Sequence, residues 1–154
     1  MRYLIAILAL AGLIISCFAL REHYRTEASP CDINTRWDCG AVNHSPFAEI
    51  GGVVQHFMGH DTGESAPGGL AAIPVAVFGI AGYLAIAGFA LARRWWMVLL
   101  LTTGAVAFSA YLTYIEARLL ETYCIWCVSS AAIISITEIA AIVAVARGRR
   151  SDGV

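Results

Sequence analysis

The sequence contains no lysine, only 14% of its 154 residues are charged, and the formal net charge is −1. Nothing in that balance supplies the broad basic surface that nucleic acid requires, so no nucleic-acid partner is expected. Polar surface is also too scarce for a soluble domain of this size. Hydrophobic residues make up 59% of the chain and the mean hydropathy is +0.72, which reads as a compact membrane protein. No internal repeat and no second domain stand out. No cysteine or histidine spacing matches a zinc box, and no metal is expected. The four histidines, His23, His44, His56 and His60, are scattered through one polar segment and read as surface or interfacial side chains. Val128 follows the single C-x-x-C where haem attachment would need histidine.

What the chain does have is four long apolar runs, roughly Tyr3–Leu20, Leu70–Ala92, Trp95–Ile115 and Cys124–Ala146. A bilayer crossing takes about 20 helical residues. In lipid each run must satisfy its own backbone hydrogen bonds and is therefore helical. The fold class expected is an all-α membrane protein, a bundle of four transmembrane helices with a long loop over about 21–69. The first run has a rival reading as a signal segment, with Ser16-Cys17 resembling a lipoprotein cleavage site. Apolar character continues through Phe18-Ala19-Leu20, so the run reads as a span, with Cys17 a small buried hydrophobe within it.

Arginine sets the expected orientation. Arg2, Arg93, Arg94, Arg147, Arg149 and Arg150 fall on one side of a four-span arrangement, and Arg21, Arg25, Arg36 and Arg118 on the other. The positive-inside rule then puts both termini in the cytoplasm. The long loop and the C-x-x-C face the outer, oxidising side, where disulfides persist.

The loop holds Cys31 and Cys39 with seven residues between them, a separation that a disulfide can close but that spacing alone does not prove. Ser45-Pro46 is a helix-start signal, and Phe47, Ile50, Val53, Val54, Phe57 and Met58 recur at helical spacing. That pattern predicts a short amphipathic helix lying in the interface, weakened by Gly51-Gly52. The glycine- and proline-rich stretch 59–69 is expected to be mobile. The second helix is expected to begin near Pro74, tolerable at a helix start, and in it Gly79, Gly82 and Gly88 permit close helix contact. Trp95 and Trp96 mark one membrane boundary; Tyr111, Tyr114, Tyr123 and Trp126 mark the other. Glu138, an acid inside the last span, is read as part of a polar seam with Ser135.

Cys124-Ile125-Trp126-Cys127 stands where a polar stretch gives way to the last apolar run. Three residues apart in the first turn of a helix, the two thiols share a face. The helix N-terminus favours a thiolate there. Alone, the motif fits a redox dithiol, a structural disulfide or half of a zinc site. Together with the loop pair it suggests a relay by thiol–disulfide exchange, ending on an acceptor of two electrons and two protons at the lipid edge. A quinone meets that demand.

At these residues the chain resembles the vitamin K epoxide reductase family, in a bacterial stand-alone form. The resemblance is carried by Cys31-Asp32, Cys39, Val42 and Ser45, by Phe78-Gly79 and Tyr83, by Ser109, Tyr111-Leu112 and Ile115, and by Cys124-Ile125-x-Cys127. The four-helix quinone reductases of the DsbB type have their C-x-x-C first; here it comes last. The resemblance implies a bundle around a quinone, either ubiquinone or menaquinone. It implies that Cys31 is attacked by a thioredoxin-fold partner, that Cys39 carries electrons to Cys124, and that Cys127 faces the quinone. Ser45, Phe78, Tyr83 and Leu112 match positions beside the pocket. Vertebrate members have an asparagine where this chain has Val75 and a tyrosine where it has Ala131. Both hold oxygens of the vitamin, so plain quinone reduction is expected over epoxide reduction. No thioredoxin-like domain lies in these 154 residues, which implies a separate DsbA-like partner. The expected place is a bacterial inner membrane, with disulfide formation outside the cytoplasm. A vitamin K epoxide reductase proper, and a non-catalytic membrane protein with structural or metal-binding cysteines, are the alternatives.

Overall fold

The computed structural model describes residues 1–27, 29, 31–59 and 69–151, with side chains as far as 147. The stretch expected to be mobile, and His60 with it, lies mostly outside the described residues. Helices account for most of the described residues: α1 Arg2–His23, α2 Cys39–Asn43, α3 Ile50–Phe57, α4 Val75–Leu91, α5 Trp95–Ile115 and α6 Ile125–Ser151. Among the described residues, three segments are long and apolar enough to cross a membrane: Arg2–His23, Trp95–Leu120 and Ile125–Arg147. The fourth, α4, is shorter, at 17 residues. That length is about 26 Å, near the lower limit of a crossing.

Helix α4 starts at Val75 behind its cap Pro74, as expected, a few residues into the apolar run from Leu70. Gly69–Ala72 forms a 3-10 turn, and the residues that follow are tied to the start of α3. The Ile50 N–H donates to the Ile73 carbonyl at 3.1 Å, and Glu49 pairs with Pro74 in an isolated bridge. The same tie splits the expected loop helix. Pro46–Ala48 is 3-10, Glu49 is extended at φ −109° and ψ 146°, and α3 follows. Gly52 has a reason beyond flexibility, because a Cβ there would run into the Pro46 carbonyl. Val54 and Phe57 of α3, and Met58 that caps it, stay exposed, as suits a helix lying along a bilayer surface.

The four long helices close a ring. α1 packs on α4 and α6, and α5 packs on α6 and α4. Small residues set the closest crossing. Gly12 of α1 lies against the Tyr83 ring, and a Cβ on Gly79 would stand 2.8 Å from Ser16 Oγ. Gly82 and Gly88 have no such close neighbour, so they do not serve the close packing expected of them. Ile5, Ala9, Ile86, Ala90, Val98 and Ala141 fill the interior. Ile7, Leu10 and Ile14 of α1 and Ile136, Ile139 and Ile142 of α6 face outward. An apolar surface of that extent needs lipid around it. The molecule is thus an all-α, multi-pass membrane bundle.

Two details depart from expectation. Cys17 is exposed rather than buried, because Ser16 and Ala19 occupy the inward face of α1 at that level. Glu138 meets Thr102 and Thr103 of α5, whereas Ser135 bonds back to its own helix at the Ala131 carbonyl, 2.8 Å away.

Candidate active site

The site begins with a short parallel pairing of irregular backbone. Asn34 turns the chain by accepting the N–H groups of Arg36 and Trp37 on its side-chain oxygen, at 2.9 and 3.1 Å. Residues 35–38 then run beside 122–123. The Tyr123 N–H donates to the Arg36 carbonyl (2.9 Å), and the Asp38 N–H donates to the Tyr123 carbonyl (3.2 Å). The Thr122 hydroxyl donates to the Thr35 carbonyl, and the Trp37 and Tyr123 rings lie 5.6 Å apart. The next residue on each strand is a cysteine. Cys39 and Cys124 are thereby delivered into one buried cluster with Cys31 and Val42, packed against Leu120, Trp126 and Cys127.

Cys31 and Cys39 are joined in a disulfide, Cα–Cα 5.9 Å. Asp32 holds this loop closed, accepting the N–H groups of Ser29 (2.8 Å) and Gly40 (3.2 Å). Burial acts to raise the Asp32 pKa, but the hydrogen bonds from Gly40 and Ser29 outweigh it and keep the carboxyl below its ordinary value. Asp38 caps α2 by accepting the Ala41 N–H at 2.7 Å. Cys39 is fully buried as the first residue of that helix, while Cys31 keeps 8% of its surface exposed.

Cys124 and Cys127 are free thiols. The sequence places both in the first turn of the last helix; Cys124 instead sits one residue ahead of α6, its carbonyl accepting the Val128 N–H at 3.0 Å. It is the helix cap, outside the membrane-spanning segment, and Cys127 lies on the first turn. The Cys127 thiol donates to Cys124 and is the main reason that the Cys124 pKa falls to about 7 despite burial, with the Asn43 amide adding to it. Asn43 Nδ2 stands 3.4 Å from Cys124 Sγ and donates to the Cys39 carbonyl at 2.9 Å. One amide therefore touches both cysteine pairs. His23 Nδ1 donates in turn to the Asn43 carbonyl at 2.7 Å. Sequence reading missed Asn43; its only signal is a position one helical turn after Cys39.

Beneath the cysteines lies a cavity of about 280 Å³. Ser45, Phe78, Tyr83 and Leu112 all line it, as do Cys127 and Val75, whereas Ala131 does not. The Ser45 hydroxyl donates to the Val42 carbonyl at 2.7 Å; it closes the end of α2 and does not cap the helix after it, the role its sequence context suggests. Tyr83 donates to the Ser130 carbonyl (3.1 Å) and its hydroxyl lies 2.9 Å from Ser130 Oγ, which ties α4 to α6. Gly82 also faces the cavity and leaves space there. Trp126 is not simply a boundary aromatic: it stacks on Phe18 with centroids 4.8 Å apart and also lines the cavity.

A second residue missed from sequence is Glu116. It opens a π-helical turn, Glu116–Leu120, that widens the end of α5. The Thr122 N–H closes that turn on the Glu116 carbonyl at 3.2 Å. Turns of this kind recur at functional sites. The side chain is 3% exposed, contacts the Cys127 thiol and the Cys124 N–H, and lines the cavity. Four buried side-chain atoms among the described residues have no partner, and two of them, Glu116 Oε2 and Trp126 Nε1, belong to residues that line the cavity. Apolar walls and an orphaned N–H suit a flat apolar ring bearing an accepting oxygen, as a quinone does, and the carboxyl oxygen can meet a second such oxygen when it carries a proton. Among the described residues, no three metal-binding side chains come together.

Comparison with known proteins places these features. A sequence model of the vitamin K epoxide reductase family matches residues 3–142. The chain is 31% identical over 137 residues to the vitamin K epoxide reductase complex subunit 1 of Mus musculus, covering 82% of this chain and 79% of that protein. The Rattus norvegicus protein of the same name matches with the same identity and coverage.

Proposed function

Because the chain belongs to the vitamin K epoxide reductase family and is a thiol–quinone oxidoreductase of the membrane, we propose that it relays electrons from a separate thioredoxin-fold protein to a membrane quinone. The observation that carries the relay is the meeting of Cys39 and Cys124 in one buried cluster, with Asn43 touching both pairs.

The partner dithiol attacks Cys31, the less buried member of the loop disulfide. The partner leaves oxidised, and Cys31 and Cys39 are left as thiols. Cys39 then attacks an oxidised C-x-x-C at Cys124, and Cys127 departs as the reduced sulfur. Cys31 closes on Cys39 and releases Cys124. A thiol of low pKa is the better leaving group, and Cys124, at about 7, is such a thiol. A quinone bound in the cavity supplies the sink for two electrons and two protons. The pattern of one disulfide and one dithiol seen here corresponds to the point after internal transfer and before quinone reduction.

The active end faces the outer side of a bacterial inner membrane, both termini are cytoplasmic, and the partner is a DsbA-like oxidant of secreted proteins. Ubiquinone or menaquinone is the acceptor. Val75 and Ala131 are apolar where the vertebrate enzymes have oxygen-holding side chains, which supports quinone over epoxide as substrate. The name of the mammalian relatives favours the second reading, epoxide reduction. Assaying both acceptors on one preparation separates the two.

The direct test is stopped flow with reduced protein in detergent and a soluble quinone analogue. Cys127→Ala should abolish quinone reduction. Cys39→Ala should keep one turnover from the pre-reduced C-x-x-C and lose turnover driven by a thioredoxin-like donor. A Cys127→Ala protein as fast as the parent would end the proposal.

A further inference from the structure

We propose that Glu116 is the proton carrier of the quinone site, taking the Cys127 thiol proton and delivering it to the quinone oxygen that becomes a hydroxyl. The proposal rests on the quinone-reductase reading above. The chemistry needs such a group. As the bond between Cys124 and Cys127 forms, two electrons leave the sulfurs for the quinone, which must also gain two protons. One is the Cys127 thiol proton, which the Glu116 carboxylate accepts and passes on. The other comes from water and replaces the proton that Cys124 gave up on becoming a thiolate.

The geometry assigns the role. Glu116 contacts the Cys127 thiol on one side and lines the cavity on the other. It is 3% exposed, yet Oε2 has no hydrogen-bond partner. A buried carboxyl oxygen left unpaired is costly, so packing does not explain its presence. The cavity's other titratable groups besides the thiol are engaged: Tyr83 with Ser130, and His23 with Asn43. Glu22 and Glu49 also have an orphaned oxygen, but neither lines the cavity, and Glu22 is paired with Arg25 at 3.6 Å.

Glu116→Gln separates carrying a proton from merely positioning a thiol, because an amide oxygen still accepts the S–H hydrogen bond but cannot take the proton. Two readouts are needed. In single-turnover quinone reduction, Glu116→Gln and Glu116→Leu should both slow the parent by about 100-fold or more, the usual size of an acid–base contribution. Glu116→Asp should fall between. In reduced, quinone-free protein, the infrared S–H band of Cys127, identified by its loss in Cys127→Ala, should keep its hydrogen-bonded position in Glu116→Gln. In Glu116→Leu it should shift, because the thiol is then left with Cys124 alone as acceptor. If Glu116→Gln keeps the band and reduces quinone within about twofold of the parent, Glu116 only positions the thiol and the proposal is overturned. A band that does not move in Glu116→Leu overturns the contact on which it stands. If the parent itself reduces no quinone, the functional reading fails and takes this one with it, a result distinct from a slow variant of an active parent.

Discussion

The two ends of the bundle bury polar groups in opposite ways. At the end away from the loop, Ile5, Ala9, Ala90, Val98, Ala141 and Ala144 pack closely, and the polar side chains near them are answered. Thr137 bonds its own helix at Ile133, and Glu138 is met by Thr102 and Thr103. At the loop end, four cysteines, a 280 Å³ cavity and two orphaned polar atoms lie together. The difference is instructive because both ends contain a carboxylate. Glu138 is satisfied by neighbours and needs nothing further. Glu116 is more deeply buried and is not. Buried polar groups without partners are rare in native folds and call for an explanation, which the proposed proton transfer supplies. The tight end fixes α1, α4 and α6 so that the open end can hold sulfur and cavity in register.

The largest effect should come from breaking the contact that separates the two ends. Gly12→Leu would push a side chain into the Tyr83 ring, which both crosses to α6 and lines the cavity. Overpacking of this kind costs about 1–3 kcal/mol. It should appear as a lower thermal midpoint in detergent together with weaker quinone binding. Gly88→Leu, with no neighbour within 4 Å, should stay within about 0.5 kcal/mol of the parent. Equal losses from both substitutions would show that α1–α4 packing does not organise the cavity.

A middling effect is expected at Asn43. Cys124 titrates at about 7, held down first by the Cys127 thiol and also by the Asn43 amide. Its thiolate therefore forms as pH rises through 7 and is lost below it. If Asn43→Ala lets the thiol climb to about 8, the thiolate fraction at pH 7 drops from about one half to about one tenth. Ultraviolet thiolate absorbance against pH, referenced to Cys124→Ser, measures this directly. Donor-driven turnover should slow by about fivefold, since Cys124 then leaves less readily. A titration curve that does not move would show that the amide bridges the pairs without tuning them.

How much of this could be read in the chain depends on whether the signal is local. Apolar runs announce spans, so the four helices were legible, and Pro74 marked the start of α4; the bond from Ile50 to Ile73 that ties this start to the loop was not. The cysteine pairs were legible as spacings. Their meeting was not, because the irregular backbone pairing that joins them has no periodicity to show. It sets Arg36, Trp37 and Asp38 beside Thr122 and Tyr123, far away in sequence. Ser45 was found at the cavity for one reason and acts there through another bond, since its hydroxyl turns back to Val42. Glu116 looked like one more acid in a polar connection. Only the π-helical turn, which carries it inward to Cys127, reveals it.

The smallest effect should be at the other carboxylate, and it sharpens the comparison most. Glu138 stood out in the sequence as an acid within a span, and its expected companion was Ser135. That serine lies on the same helix and bonds its own backbone, a common resolution for a hydroxyl in a membrane helix. The true companions, Thr102 and Thr103, donate to the two carboxyl oxygens from α5. In Glu138→Gln one threonine hydroxyl can still donate to the amide oxygen and the other can turn to accept from the amide nitrogen, so both contacts survive the loss of charge. Stability should change by less than about 1 kcal/mol, and single-turnover quinone reduction should stay within about twofold of the parent. Glu116→Gln, the same chemical change at the open end, should cost about 100-fold. A large loss of turnover in Glu138→Gln with stability intact would mean that protons reach the quinone from the tight end as well, and the division between a holding end and a reacting end would have to be given up.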